Sequence, residues 1–200
     1  MRPKLLLATN NKAKIREYKS LLPDLPCELV TLAEEGITTE VDEVGKSLEE
    51  NARLKATVLA AQSQLPALAD DSGLEVDVLG GEPGPLSARY AGENASDKDR
   101  INFLLARLED TPREKRSARF RCVVAIATPD GRVEFCYGEC PGMITFTPRG
   151  KYGFGYDPVF YLPGLDKTMA ELPLTLKNQV SHRGQVAREV NATLKRLIQI

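Results

Sequence analysis

The tightest constraint on this chain is a short apolar run, Leu65-Pro66-Ala67-Leu68-Ala69, that stops at Asp70-Asp71-Ser72-Gly73. Runs of this kind, ended by carboxylates and glycine, read as buried strands that deliver acidic groups to a sheet edge. Neighbouring side chains on a strand point to opposite faces, so Asp70 and Asp71 have different tasks. One can hold a divalent cation while the other takes a proton or holds a second partner. Carboxylate oxygens suit Mg2+, which works beside substrate phosphates. Gly73, Gly80, Gly81, Gly84 and Gly92 let the following backbone turn tightly or approach a ligand. An acidic turn, with glycines placed for loop geometry alone, fits the same residues.

The chain has 200 residues and a net charge of -1. That length buries a sizeable core as one domain, residues 1–200. The charge balance gives no global pull towards nucleic acid or an acidic membrane, so anions must be met by a local cluster of cations. Cysteines stand at 27, 122, 136 and 140. Their spacing is not that of a zinc ribbon, and no disulfide is expected. The first apolar run, Leu5 to Ala8, is shorter than a signal-peptide core, and no stretch approaches ~20 apolar residues. The expectation is a soluble cytoplasmic protein.

Lys4 to Ala8 reads as a first strand. Thr9-Asn10-Asn11-Lys12-Ala13-Lys14 follows, and Ile15 to Leu22 continues as an amphipathic helix. A strand, polar turn and helix place backbone N–H groups at a helix start, where phosphate binds readily. No Walker loop is present. Cys27 to Leu32 is a second strand, and residues 33–46 form an acidic connection with Glu34, Glu35, Glu40, Asp42 and Glu43. Ser47 and Glu50 form a capping box that opens a helix to about Gln64. On it Asn51 and Lys55 share a face.

Beyond the central motif, Ser96 caps a helix over about 97–108. Residues 117–128 and 132–137 form a β-hairpin around Pro129-Asp130-Gly131, and 142–147 add a further strand. The sheet is therefore mixed. Arg113, Lys115, Arg116, Arg119 and Arg121 read as a solvated strand face, because aromatics hardly interleave with them. The segment from Gly150 to Pro163, GKYGFGYDPVFYLP, is rich in glycine and aromatics. It suits base stacking or a packed loop equally. Pro173 to Ile200 is helical and carries Lys177, Asn178, Ser181, His182 and Arg183, an arrangement compatible with an anion or nucleotide site.

Five ordered pieces give these readings a common sense. They are Thr9, Asn11 and Lys14 as T-x-N-x-x-K; Glu50 to Ala56 as E-N-A-x-x-K-A; DDSGLEVDVLGGEPGPLSARYAG; GFGYDP at 153–158; and K-N-x-x-S-H-R at 177–183. Together they resemble the inosine triphosphate pyrophosphatase family over nearly the whole chain. Leu48, where the family often has Phe, and Leu172, where it often has Met, are departures outside the polar residues.

The resemblance implies an elongated α/β fold: two lobes on a long twisted mixed sheet with flanking helices, and the active cleft between the lobes. It implies a homodimer that needs Mg2+ and cleaves purine nucleoside triphosphates between the α and β phosphates. Asp71 matches the catalytic base and a metal-linked carboxylate, and Glu43 a metal-associated acid. Thr9, Asn10, Asn11, Lys12, Ala13 and Lys14, with Lys55 and Ser72, match the phosphate side. Phe154, Gly155, Tyr156, Asp157, Lys177, His182 and Arg183 match the nucleotide and base side. Asp70 joins Asp71 and Lys55 in the catalytic set, where it orients Lys14 or Lys55 or completes the metal site. Donor groups such as Arg183 and His182 accept a 6-oxo purine and leave a 6-amino group unpaired. Two other readings are a Maf-like pyrophosphatase with another base preference and a nucleotide-binding module without turnover. The intact GFGYDP and SHR pieces argue against the first, and the clustered acids and near-neutral charge against nucleic-acid binding in the second.

Overall fold

Leu5, Leu6 and Leu7 are fully buried, and in a strand consecutive buried residues require cover on both faces. The computed structural model, which describes residues 2–198, supplies that cover. Its strands are β1 (Lys4–Leu7), β2 (Glu28–Thr31), β3 (Ala67–Val76), β4 (Pro83–Gly84), β5 (Ser117–Ala127), β6 (Val133–Ile144), β7 (Phe160–Leu162) and β8 (Lys167–Thr168). Its helices are α1 (Lys12–Leu21), α2 (Leu48–Ser63), α3 (Asp97–Arg107), α4 (Leu174–Val180) and α5 (His182–Ile198). The strands form one mixed sheet in the order β2-β1-β3-β5-β6-β7-β8, with β4 added to β3. β1 runs parallel to β2 and β3, whereas β3/β4, β6/β7 and β7/β8 are antiparallel. This is the mixed α/β sheet with flanking helices that the sequence implies.

The chain divides into two compact units. The first comprises Met1–Asp71, Cys122–Gly138 and Arg183–Ile200. Its strands alternate strictly. Leu5, Leu7, Leu68, Val124 and Ile126 pack with Tyr18 of α1 and Val186, Val190 and Leu194 of α5. Leu6, Ala67, Ala69, Val123 and Ala125 pack with Leu48, Ala52, Ala56, Leu59 and Ala60 of α2. Small residues on both partners let the helix lie close to the strands. Ser47 Oγ caps α2 by accepting from Glu50 N at 3.1 Å. The reciprocal half of the box differs from expectation: Glu50 Oε2 accepts from Lys46 N at 2.7 Å, one residue further back.

The second unit comprises Ser72–Arg121 and Glu139–His182. Its core gathers Leu74, Val76, Ile101, Leu104, Phe120, Ile144, Phe160 and Met169. Gly73 is required here by contact: a Cβ on it would lie 2.3 Å from the carbonyl oxygen of Gly84. Ser87 completes this crossing, accepting from Leu74 N at 2.8 Å and donating to Gly84 O at 2.6 Å.

Several sequence expectations are corrected. The two aspartates do not end a strand at a sheet edge; they sit within β3, which runs on through Leu74 and Val76 and lies between β1 and β5. α1 begins at Lys12 rather than Ile15, because Asn11 serves as its N-cap. The expected strands at 132–137 and 142–147 are one strand, β6, along which buried Cys136 and Cys140 alternate with exposed Tyr137, Glu139 and Pro141. Phe160–Leu162 is a strand inside the expected glycine-aromatic loop. The C-terminal helical stretch breaks at Ser181 into α4 and α5, and its last two residues lie outside the described residues. Arg116 is buried rather than solvated, donating to the carbonyls of Thr111 at 2.9 Å, Thr145 at 3.0 Å and Leu108.

Candidate active site

β3 carries Asp70 towards α1 and α5 and Asp71 towards α2, as alternation demands. The Asp70 carboxylate accepts from Tyr18 Oη at 2.7 Å, from Arg183 Nε at 2.9 Å and from Lys14 Nζ. Cys122 Sγ lies 3.4 Å from the same carboxylate. Arg183 Nη1 also reaches Glu17 Oε2 at 3.3 Å. Burial opposes ionisation of Asp70, but Arg183 and Lys14 outweigh it and hold the carboxyl well below the usual range. A carboxylate so held is an orienting anion rather than a base.

On the other face, Asn51 Nδ2 donates to Asp71 Oδ2 at 3.1 Å. Lys55 Nζ lies 3.3 Å from Asp71 Oδ1, 2.6 Å from Glu43 Oε1 and 2.8 Å from the carbonyl oxygen of Asp70. Asn51 Oδ1 in turn accepts from Gly45 N at 2.8 Å, and a Cβ on Gly45 would meet that oxygen at 2.6 Å. This close approach ties the acidic connection to α2 and brings Glu43 onto Lys55. Burial raises the pKa of Asp71 above its usual value, against the pull of Lys55. Burial alone would discharge Lys55, but Asp71 and Glu43 raise its pKa instead.

Residues 9–14 wrap the start of α1. Asn11 Oδ1 accepts from Ala13 N at 2.9 Å and Lys14 N at 3.2 Å, and Asn11 N donates to Thr9 Oγ1 at 3.2 Å. Two of the helix-start donors expected to face phosphate are therefore engaged by the cap. Asn10 and Lys12 are exposed, Thr9, Ala13 and Lys14 half-buried, and Ser72 is half-buried on β3.

In the second unit, Phe154, Asp157 and Lys177 come together. Lys177 is buried, pairs with Asp157, and its Nζ lies 5.0 Å from the centroid of Phe154. Asp157 Oδ2 accepts from Phe154 N at 2.9 Å. Gly155 N donates to Asp97 Oδ2 at 2.7 Å, and Tyr156 Oη to Ser87 O at 2.9 Å. His182 is buried and stacked on Phe120, centroids 4.8 Å apart. Arg183, expected on the base side, pairs with Asp70 and Glu17, as a buried guanidinium needs carboxylates.

Glu17, Tyr18 and Gly45 belong to this machinery and went unread in the sequence. The signal for the first two was present, since they stand three and four residues after Lys14 and share its helix face. Gly45 had no local signal.

Residues 5–193 match the sequence model of the Ham1 family, which therefore runs through both units. The chain belongs to the Ham1 family. It is 52% identical over 182 residues to the dITP/XTP pyrophosphatase of Geobacter sulfurreducens, covering 91% of this chain and 92% of that one. Identity to the dITP/XTP pyrophosphatase of Bacillus subtilis is 43% over 190 residues, covering 95% and 96%. Among solved structures, a HAM1 protein from Coxiella burnetii matches with a TM-score of 0.88 at 41% identity, covering 97% of this chain and 99% of that one. The Ham1 protein of Staphylococcus aureus gives 0.85 at 42%, with the same coverage.

For a Ham1 protein the charge balance matters. Glu17, Glu43, Asp70 and Asp71 meet Lys14, Lys55 and Arg183, so carboxylates outnumber cations in the cluster. A polyanion entering it needs further positive charge. Among the described residues no three His, Cys, Asp or Glu side chains group for a metal ion. Glu43 and Asp71 are two carboxylates converging on one ammonium, an oxygen-only pair that fits Mg2+, which usually takes one or two carboxylates plus waters and phosphates. No helix among the described residues is long and apolar enough to cross a membrane.

Proposed function

We propose that this chain hydrolyses deaminated purine nucleoside triphosphates (ITP, dITP and XTP) to the monophosphate and pyrophosphate, clearing them from the nucleotide pool. The observation that carries the reading is geometric: two adjacent carboxylates on opposite faces of β3, Asp70 fixed by Tyr18, Arg183 and Lys14, and Asp71 meeting Asn51 and Lys55. Two neighbouring carboxylates given such different surroundings suit an orienting group and a base. The names of the relatives give the same reaction.

In this reading Asp71 takes the proton of the attacking water as its oxygen bonds to phosphorus and the α–β bridging P–O bond breaks. Lys55 and Lys14 neutralise phosphate oxygens, and Asp70, fixed by Tyr18 and Arg183, positions Lys14. Mg2+ held by Glu43 and Asp71 would add positive charge at the phosphates. Phe154 offers a stacking surface for the base, and Lys177 and His182 offer donors to a 6-oxo group. Residues 1–200 act as one domain, and the enzyme works as a cytoplasmic homodimer; four buried free thiols suit a reducing compartment.

The test is product analysis with Mg2+ and ITP, XTP, ATP or GTP. Monophosphate and pyrophosphate from the first two alone are expected. Diphosphate and orthophosphate would overturn the cleavage site, and nucleotide binding without turnover would move the chain to the binding-module reading.

A further inference from the structure

A second concave surface lies wholly within the second unit, apart from every residue assigned above. It is a cavity of about 310 Å³ whose lining includes Arg113, Met143, Phe146, Arg149, Tyr161 and Asp166. That size falls at the lower end for small-molecule sites. Arg100, Arg116, Arg119 and Arg132 donate to protein acceptors, whereas Arg113 makes no side-chain hydrogen bond to another described residue and Arg149 meets a carboxylate only at ion-pair distance. The guanidinium carbons of Arg113 and Arg149 lie 5.8 and 5.4 Å from the centroid of one ring, that of Tyr161. Stacking holds a guanidinium in place without using its N–H groups. The carboxylate beside Arg149 is Glu171, at 3.6 Å, and the same Glu171 oxygen accepts from Thr168 N at 2.7 Å and Thr168 Oγ1 at 3.1 Å. Tyr161 is itself fixed, its Oη donating to Asp166 Oδ1 at 2.8 Å.

The apolar side of the cavity is equally set. Phe146 is 55% exposed, and the buried guanidinium of Arg116 holds its ring at 4.0 Å. Met143 lies in β6, its backbone paired with Tyr161 of β7. A held aromatic ring beside a flexible thioether suits a flat ring, and two preset guanidinium forks suit a phosphate dianion. The lining carries two guanidinium groups against the one carboxylate of Asp166, with Glu171 standing beside Arg149. We propose that this cavity is a second nucleotide site, binding a nucleoside monophosphate through Arg113 and Arg149 with its base against Phe146.

The test is calorimetric titration with adenosine 5′-monophosphate, whose 6-amino base the proposed active site disfavours. The wild-type protein is expected to bind it, and to bind adenosine or inorganic phosphate alone about tenfold more weakly or worse. Arg113→Ala/Arg149→Ala should weaken binding by about tenfold or more, as losing charged hydrogen bonds predicts. Phe154→Ala, on the proposed substrate side, should leave it unchanged. Should the double variant fail to fold, Arg113→Ala alone serves, because that guanidinium makes no ion pair or hydrogen bond with another described residue and faces the Tyr161 ring. Absence of binding, or binding lost in Phe154→Ala and kept in the arginine variant, overturns the proposal. So does a shift from dimer to monomer in the arginine variant without nucleotide binding, which would make the face a self-association surface.

Discussion

Asp71 is a residue whose function works against its stability. Its pKa is raised by burial, so the ionised form is the disfavoured one in the folded protein. The stabilising contribution of such a group is present while it is protonated and is lost as pH rises through its folded pKa. Asp71→Asn should therefore abolish turnover while leaving the melting temperature at neutral pH equal to or above that of the wild type. Full activity in that variant would remove Asp71 from the mechanism. The same shift sets the acid limb of the rate profile. A base must be deprotonated to act, so kcat/KM should begin to fall at a higher pH than an ordinary carboxylate near 3.8 would give. Asn51→Leu deletes a hydrogen bond that favours the ionised form, and should move that limb higher still.

Arg183 is the opposite case. Buried with Asp70 and Glu17, it cannot be removed without taking a cation away from two buried carboxylates, although Asp70 keeps Lys14 and Tyr18. Arg183→Ala should cost about 3–5 kcal/mol of stability, read from denaturant unfolding. A variant as stable as the wild type would mean that these carboxylates find other partners.

At the scale of elements, β3 was legible in part. Its alternation, and hence the separation of Asp70 from Asp71, follows from two adjacent residues on a strand. Its length was not, because the run from Ser72 to Val76 is held by a crossing with Gly84 and Ser87, more than ten positions away. Gly73→Ala tests that crossing. The added carbon would meet backbone rather than a movable side chain, so a loss of about 2 kcal/mol or more is expected, against a few tenths at an open glycine such as Gly164. Caps behaved similarly. Ser47 and Ser96 announced α2 and α3 because a cap is a local contact. Asn11 shows the limit: its place on the phosphate side is suggested by motif, while its capping of α1 has no mark in the sequence that sets it apart from its neighbours.

For the whole molecule, most of the polar machinery stood in the sequence as ordered motifs, while the pairing within it did not. The sequence puts Lys55 on one helix face with Asn51, but not the partners it is buried against, Glu43 and Asp71. Arg183 meets a carboxylate 113 positions earlier. Arg116 sits among arginines that read as one solvated face, yet it alone pins three carbonyls, a role fixed only once distant loops converge.

The four buried thiols have a use that owes nothing to catalysis. A shielded thiol reacts with an alkylating reagent only when the chain around it opens. Cys27, Cys122 and Cys136 belong to the first unit and Cys140 to the second. Timed labelling read by peptide mass should thus report the opening of each unit separately. Equal rates at all four would mean that the chain opens as one, and faster capture of Cys140 that the second unit breathes by itself. The protein carries its own set of clocks.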